Sequence, residues 1–251
     1  MIARRSPQEI EKLDRACRLV REVLAELAGA AQDGITTAEL DRLAEKRALD
    51  AGAQCAFKGY MGYPASVCIS VNEEVVHGIP GPRQLRAGDL VSLDFGVRLD
   101  GYYGDSAVTC GVGALDPESE RLSRVTRESL FEAIAQVRPG RHVSDIGHAV
   151  ERYATAAGFG VVREFVGHGI GTRMHEEPQI PNYGRPGQGA RIEAGMVFAI
   201  EPMITAGGPA VKVLRDGWTA VTRDGTRAAH WELVAAATED GPKILGEPLG
   251  A

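Results

Sequence analysis

Asp94, Asp105, His168, Glu201 and Glu232 are the residues of this sequence whose types and surroundings could do chemistry together. Asp94 and Asp105 flank the turn signal Asp100-Gly101. A two-residue loop there pairs Asp94 with Ala107 and leaves Asp105 on the same sheet face as a diagonal neighbour. A three-residue loop would break that parity. Two carboxylates on one face repel, and a shared proton or a cation relieves them. Taken alone, the pair better fits two exposed acids on a solvated hairpin. The second half of the chain adds what the pair lacks. His168 stands in Gly167-His168-Gly169-Ile170-Gly171 at the end of a strand-like run, where glycines let other backbones approach. Glu201 ends the apolar run Met196–Ile200, and Glu232 interrupts another between Trp231 and Leu233-Val234. A carboxylate inside an apolar strand is costly unless paired or metal-bound.

The four carboxylates of this set carry a formal charge that two divalent cations balance, the ligand supply of a two-metal hydrolase. Oxygen-rich ligation with one imidazole suits Mn, Fe(II), Co or Zn and lacks the thiolates of a structural zinc site. An iron oxygenase site of two histidines and one carboxylate would take His175 as a ligand and leave three acids without a task. Nucleophile-elbow, HExxH and P-loop motifs are absent from the sequence.

Strands and helices that could hold such a set are legible. Ser6-Pro7-Gln8-Glu9 is a capping box with proline at the first helical position, and Ile10, Leu13, Cys17, Val20, Leu24 and Leu27 follow at helical spacing up to Gly34. Thr36 and Glu39 open a second helix that runs to Gly52. Strands are expected at Ser66–Val71, Leu90–Val97 and Tyr103–Cys110. The order then repeats: a helix from Asp116-Pro117, a shorter one capped by Ser144, and strands at Val161–Val166, Met196–Glu201, Val211–Leu214, Trp218–Thr222 and Trp231–Ala236. The repetition predicts an internal duplication within one domain over residues 1–251, with halves of about 1–113 and 114–251, strands inside and helices outside.

Composition narrows the function further. The 251 residues carry 28 basic and 34 acidic side chains, a net charge of −6, with 44% hydrophobic residues. This is an ordinary globular balance; no basic run marks a nucleic-acid binder and no apolar stretch is long enough to span a membrane. The start lacks the apolar core of a signal peptide, and four scattered cysteines fit reduced thiols, so a cytoplasmic location is expected.

With these residues in place the chain resembles the type I methionine aminopeptidases. The resemblance rests on GYMGYPASVCISVNEEVVHGIP (59–80), LDFGVRLDGYYGDSA (93–107), GHGIGTRMHEEPQIPNY (167–183), FAIEPM (198–203) and DGW (216–218). It implies an α+β pita-bread fold of two pseudo-symmetric halves, with an inner curved antiparallel sheet and outer helices. The short interval from His175 to Glu201 leaves no room for the helical insertion of type II enzymes.

The implied activity is removal of the initiator methionine from nascent chains with a small second residue, by attack of a hydroxide bridging two metals. By the same resemblance Asp105 and Glu232 bridge the metals, Asp94 completes one site, and His168 and Glu201 complete the other. Glu201 would move the proton, His175 stabilise the oxyanion, and His77 contact the scissile amide. The α-amine would bind the metal held by Asp94. Phe57, Tyr60, Tyr63, Cys68, Met174 and Trp218 would line the side-chain pocket. Relatives commonly carry cysteine at Phe57 and an aromatic residue at Met174, so this pocket is expected to be reshaped. His230 stands where relatives have glutamine and, on the face of Glu232, could replace it as a hydrogen-bond donor. A monovalent cation near Asn72 belongs to the pattern, although Ala228 replaces a frequent serine.

Nascent peptide N-termini are the expected partners, with work near the ribosome exit and a monomeric chain. Alternatives from other classes are a pita-bread peptidase of proline-directed specificity and a catalytically silent module that binds peptides or ribosomes. Cys68 is expected as a buried thiol rather than a nucleophile, the Glu176-Glu177 pair as a solvated face, and His142 and His148 without a role.

Overall fold

The computed structural model describes residues 2–247. Its first half runs α1 (Pro7–Ala30), α2 (Thr37–Asp50), β1 (Gln54–Cys55), β2 (Val67–Val71), β3 (Glu74–Val76), β4 (Leu90–Leu99) and β5 (Tyr102–Gly111). The second runs α3 (Pro117–Ile134), α4 (Val143–Ala156), β6 (Gly160–Val161), β7 (Gly167–Gly169), β8 (Glu176–Ile180), β9 (Val197–Ile200), β10 (Met203–Thr205), β11 (Val211–Val213), β12 (Ala220–Thr222), β13 (Ala228–His230), β14 (Leu233–Thr238) and β15 (Gly241–Ile244). No helix among the described residues is long and apolar enough to cross a membrane.

Both capping boxes form: Ser6 with Glu9 and Thr36 with Glu39. Helix α1 ends at Ala30, short of Gly34, which sits at φ 89° in the connecting turn. Ser144 does not cap α4. The cap position is His142, two residues earlier, where the Asp145 carboxylate accepts from the His142 amide at 2.8 Å, and the Ser144 hydroxyl accepts from Gln188 N instead. The strand expected at Val161–Val166 stops at Val161, because the chain bends towards a cavity lined by Glu164, Phe165 and Val166. The last expected strand, Trp231–Ala236, forms only from Leu233 as β14, and an unexpected β13 precedes the break at Trp231-Glu232. Strands β8 and β15, unpredicted from the sequence, edge the second sheet.

The long hairpin β4–β5 has a two-residue turn with Asp100 at φ 50° and Gly101 at φ 85°, and it pairs Asp94 with Ala107. Strand β4 carries β5 on one side and β2 and β1 on the other. The second half builds the order β15-β14-β9-β7-β8, and two three-stranded sheets, β13-β10-β6 and β11-β12-β3, complete the inner layer. Apolar faces of α1 and α2 (Val20, Leu24, Leu27, Leu40) cover Ile69, Leu93 and Phe95, while α3 and α4 (Leu122, Leu130, Ile146, Val150) cover Phe198 and Ile200. Helix α1 crosses β5 so closely that a Cβ on Gly104 would lie 2.5 Å from the Cys17 nitrogen.

The halves meet along a polar seam. Ala107 and Glu232 exchange both backbone hydrogen bonds, at 3.2 and 2.9 Å. The Ser106 hydroxyl donates to Glu232 O at 2.6 Å, and Thr109 Oγ1 donates to His230 O at 2.7 Å and accepts from His230 N at 3.0 Å. Thr109→Val keeps the side-chain volume but removes the bond to His230 O and leaves His230 N only its longer bond to Ser92 Oγ at 3.3 Å, so it is expected to lower unfolding stability by about 1–3 kcal/mol. A urea midpoint unchanged from wild type would show that the seam contributes nothing.

Candidate metal centre and substrate cavity

Register delivers each carboxylate to the same place. Asp94 and Asp105 come from facing arms of the β4–β5 hairpin, and the Ala107–Glu232 pairing brings Glu232 alongside. His168 on β7 pairs with Ala199 on β9, which ends one residue before Glu201. Ligand atoms of Asp105, His168 and Glu232 lie within 4.8 Å of one another. His168 Nε2 is 4.0 Å from Asp105 Oδ2 and 3.7 Å from Glu201 Oε1. Asp94, Asp105, His168 and Glu232 are buried, and Asp94 Oδ1, Asp105 Oδ1 and Glu232 Oε1 have no hydrogen-bond partner.

Buried oxygens without donors, aimed at one another, are the chemistry of a cation site, so this donor set fits divalent metals. Electrostatics agree. Burial pushes the Asp94 carboxyl up to about 8. Asp105, Glu201 and Glu232 are raised well above the ordinary carboxyl range, first by burial and then by one another's charges and that of Asp94. Burial and the neighbouring His175 depress His168 to about 3, so its imidazole is neutral. Its Nδ1–H donates to the Gly169 carbonyl at 3.0 Å, which leaves the Nε2 lone pair facing the carboxylates.

All the residues singled out in the sequence for catalysis, ligation or the side-chain pocket line one cavity of about 310 Å³. Phe57, Tyr63, Ala65, Cys68 and Met174 pack as one apolar cluster beneath it, with Trp218 against it. Tyr63 donates through its hydroxyl to Gly78 O at 2.9 Å and Val67 O at 3.2 Å, fixing its ring near Trp218 at 5.1 Å. Burial raises the Cys68 thiol well above its usual range, so Cys68 is no nucleophile. His77 sits at φ 60°, a conformation rare for a non-glycine residue, with its ring edge-on to Phe165 at 5.3 Å. Burial, then the nearby His175, lowers it to about 4.

Sequence reading missed Met61, Glu164, Phe165 and Val166 in the cavity wall. Met61 lay inside a quoted stretch, but the other three were hidden in the strand expected at Val161–Val166. It also misplaced Glu176: this side chain pairs with Arg5 at 2.5 Å, both largely buried, and only Glu177 is solvated. His230 is 1% exposed, its ring nitrogens have no hydrogen-bond partner, and its nearest carboxylate oxygen is Glu201 Oε2 at 3.9 Å.

The profile described as metallopeptidase family M24 matches residues 11–239 of this chain. The chain belongs to that family. Over 245 residues it is 48% identical to methionine aminopeptidase of Clostridium perfringens, covering 98% of both chains. It superposes on the crystal structure of methionine aminopeptidase from Thermotoga maritima with a TM-score of 0.97 at 44% identity, covering 99% of this chain and 100% of that one. Prolidase from Pyrococcus furiosus, 21% identical, shares the fold at a TM-score of 0.80, and the match spans 98% of this chain but 65% of the prolidase. The pita-bread architecture is therefore common to both, and the M24 peptidase described here has the α+β form expected of it.

Carboxyls raised in the folded state stabilise it fully below their unfolded values of about 4, and that stability is lost as pH rises through the folded values. The depressed histidines act in the opposite sense but only below about pH 6.5. Chelator-stripped peptidase should therefore melt at progressively lower temperature from about pH 6.5 to about pH 8.5, and loading with Mn or Zn should flatten that slope. A melting temperature of the stripped protein that holds or rises over this range would contradict the buried cluster.

Proposed function

We propose that this M24 peptidase removes the N-terminal methionine from nascent polypeptides whose second residue is small. The observation that carries the reading is the convergence of Asp105, His168 and Glu232 within 4.8 Å at one wall of a cavity whose other walls are aromatic and apolar. Asp94, Asp105, His168, Glu201 and Glu232 would hold two divalent ions, with Mn, Fe(II), Co and Zn all compatible with the donors. When bound, the ions polarise the scissile carbonyl and bring the ionisation of water towards neutral pH.

The remaining work falls to the chain. Glu201, between two imidazoles and raised by burial, can hold a proton taken from water and pass it to the leaving amine. His175, on the open side of the cavity and inclined to its neutral form by partial desolvation, reaches the oxygen of the scissile peptide, and His77 contacts its amide. Phe57, Tyr60, Tyr63, Cys68, Met174 and Trp218 receive the methionine side chain, for which aromatic rings and a thioether are favourable neighbours. An acidic wall favours the free amine of a chain end over a neutral internal amide, which makes the enzyme an exopeptidase. We place it in the cytoplasm as a monomer forming one catalytic domain, acting on chains as they leave the ribosome.

The test is methionine release from Met-Ala-Ser and Met-Lys-Ser by stripped protein reloaded with each metal. Release from the alanine peptide only is expected, lost in Glu201→Ala and Asp105→Ala. His175→Ala should retain metal binding and lower kcat by about 10²–10³-fold. Folded protein that releases no methionine with any metal would overturn the reading; release only from peptides with proline second would transfer it to a proline-directed enzyme.

A further inference from the structure

Two imidazoles meet in this cavity, and the structure treats their nitrogens differently. The rings of His168 and His175 lie edge-to-face with centroids 4.2 Å apart. In His168, Nδ1 faces a carbonyl, which can only accept, so the proton is on Nδ1 and Nε2 is bare. In His175, Nδ1 lies 2.8 Å from the hydroxyl of Tyr60. A phenol gives its proton more readily than it accepts one, because its oxygen lone pair is drawn into the ring, and a bare imidazole nitrogen is the better acceptor. Among the described residues the Tyr60 hydroxyl has no other hydrogen-bond partner.

We infer that Tyr60 is a positioning residue: its hydroxyl donates to His175 Nδ1 and so keeps the His175 proton on Nε2, making that nitrogen a hydrogen-bond donor to the substrate. This rests on the proposed place of His175 beside the scissile peptide oxygen. An oxygen that gains negative charge is stabilised only by donors. With the opposite tautomer, Nε2 would present a lone pair to that oxygen and repel it. The phenol therefore decides whether His175 helps or opposes the reaction, a task separate from lining the side-chain pocket.

The turn that carries Tyr60 is built for such placement. Gly59 at φ 85°, Met61 at φ 49° and Gly62 at φ 91° surround it, and Met61 is 82% exposed, so solvent-side packing does not explain its conformation. Tyr60 N donates to Phe57 O at 2.9 Å, Tyr63 N to Tyr60 O at 2.9 Å, and Gly59 N to Tyr63 O at 2.8 Å. Tyr63 in turn ties the loop to Gly78 O, beside His77. Gly78 cannot carry a side chain, since a Cβ there would lie 2.2 Å from Ile69 O. The backbone of Tyr60 is thus held from both ends of its loop, while its ring is tilted 48° to His175.

The deciding measurement is ¹⁵N NMR of the histidine rings in zinc-loaded wild-type protein, with the His175 signals assigned from their loss in His175→Asn. A protonated Nε2 and a bare, hydrogen-bonded Nδ1 are expected; the reverse assignment overturns the inference. Tyr60→Phe keeps the ring and removes only the hydroxyl. It should lower kcat for Met-Ala-Ser about threefold to tenfold with KM unchanged, and shift the His175 signals towards a mixture of tautomers. An unchanged kcat, or a raised KM with kcat intact, would leave Tyr60 as pocket wall alone and overturn it. Absence of methionine release by wild type would fail the functional reading, while the ring-nitrogen assignment would still decide the tautomer.

Discussion

Four carboxyl groups buried in one cavity are the constraint on which the rest of this structure depends. Asp94, Asp105, Glu201 and Glu232 could each be solvated separately at little cost, yet the fold takes them from water and places them together. Their upward-shifted proton affinities measure how strongly the protein resists four negative charges there without compensation. Such an arrangement persists only because backbone pairing, which is indifferent to these charges, fixes it. The Asp94–Ala107 register sets two acids, the Ala107–Glu232 exchange sets the third, and the end of β9 sets the fourth.

That pairing explains why two similar halves are needed. One hairpin presents two carboxylates on one face but nothing to oppose them. The second half brings the neutral His168 from β7 and two further acids, one just past the end of β9 and one at the break before β14. The hydroxyls of Ser106 and Thr109 satisfy the backbone where strand pairing is broken at Trp231-Glu232. The break is what frees the Glu232 side chain to face the cavity while its backbone still bridges to β5. Polar groups at the seam are thus spent on alignment, and the apolar cores under α1–α2 and α3–α4 hold each half rigid behind it.

Most of this was legible in the sequence because it rests on local rules. Capping boxes fixed the helix starts at Ser6 and Thr36, and the Asp100-Gly101 turn fixed the hairpin register that makes the acids neighbours. What escaped depended on distant partners. Ser144 satisfies a cap pattern but bonds to Gln188, which sequence spacing cannot reveal. Glu176 reads as surface until Arg5, far away along the chain, closes on it. Glu164 and Phe165 sit in an apolar run with strand character, and only the tertiary path turns them into the cavity wall. For His230 the face shared with Glu232 was expected to matter, whereas the nearest carboxylate belongs to Glu201, across a strand pair between β10 and β13.

The side-chain cavity follows the same logic of compensated volume. Phe57 is bulky, and room for it beside Asp105 comes from Gly96: a Cβ there would approach Phe57 Cε1 to 2.8 Å and Asp105 Oδ1 to 3.2 Å. The large wall is thus accommodated from below by a missing side chain, without displacing the Asp105 carboxylate. Opposite, Met174 sets a flexible thioether in the same apolar cluster. One wall is stiffened by size and the other is adaptable, while the acidic wall is fixed by backbone register.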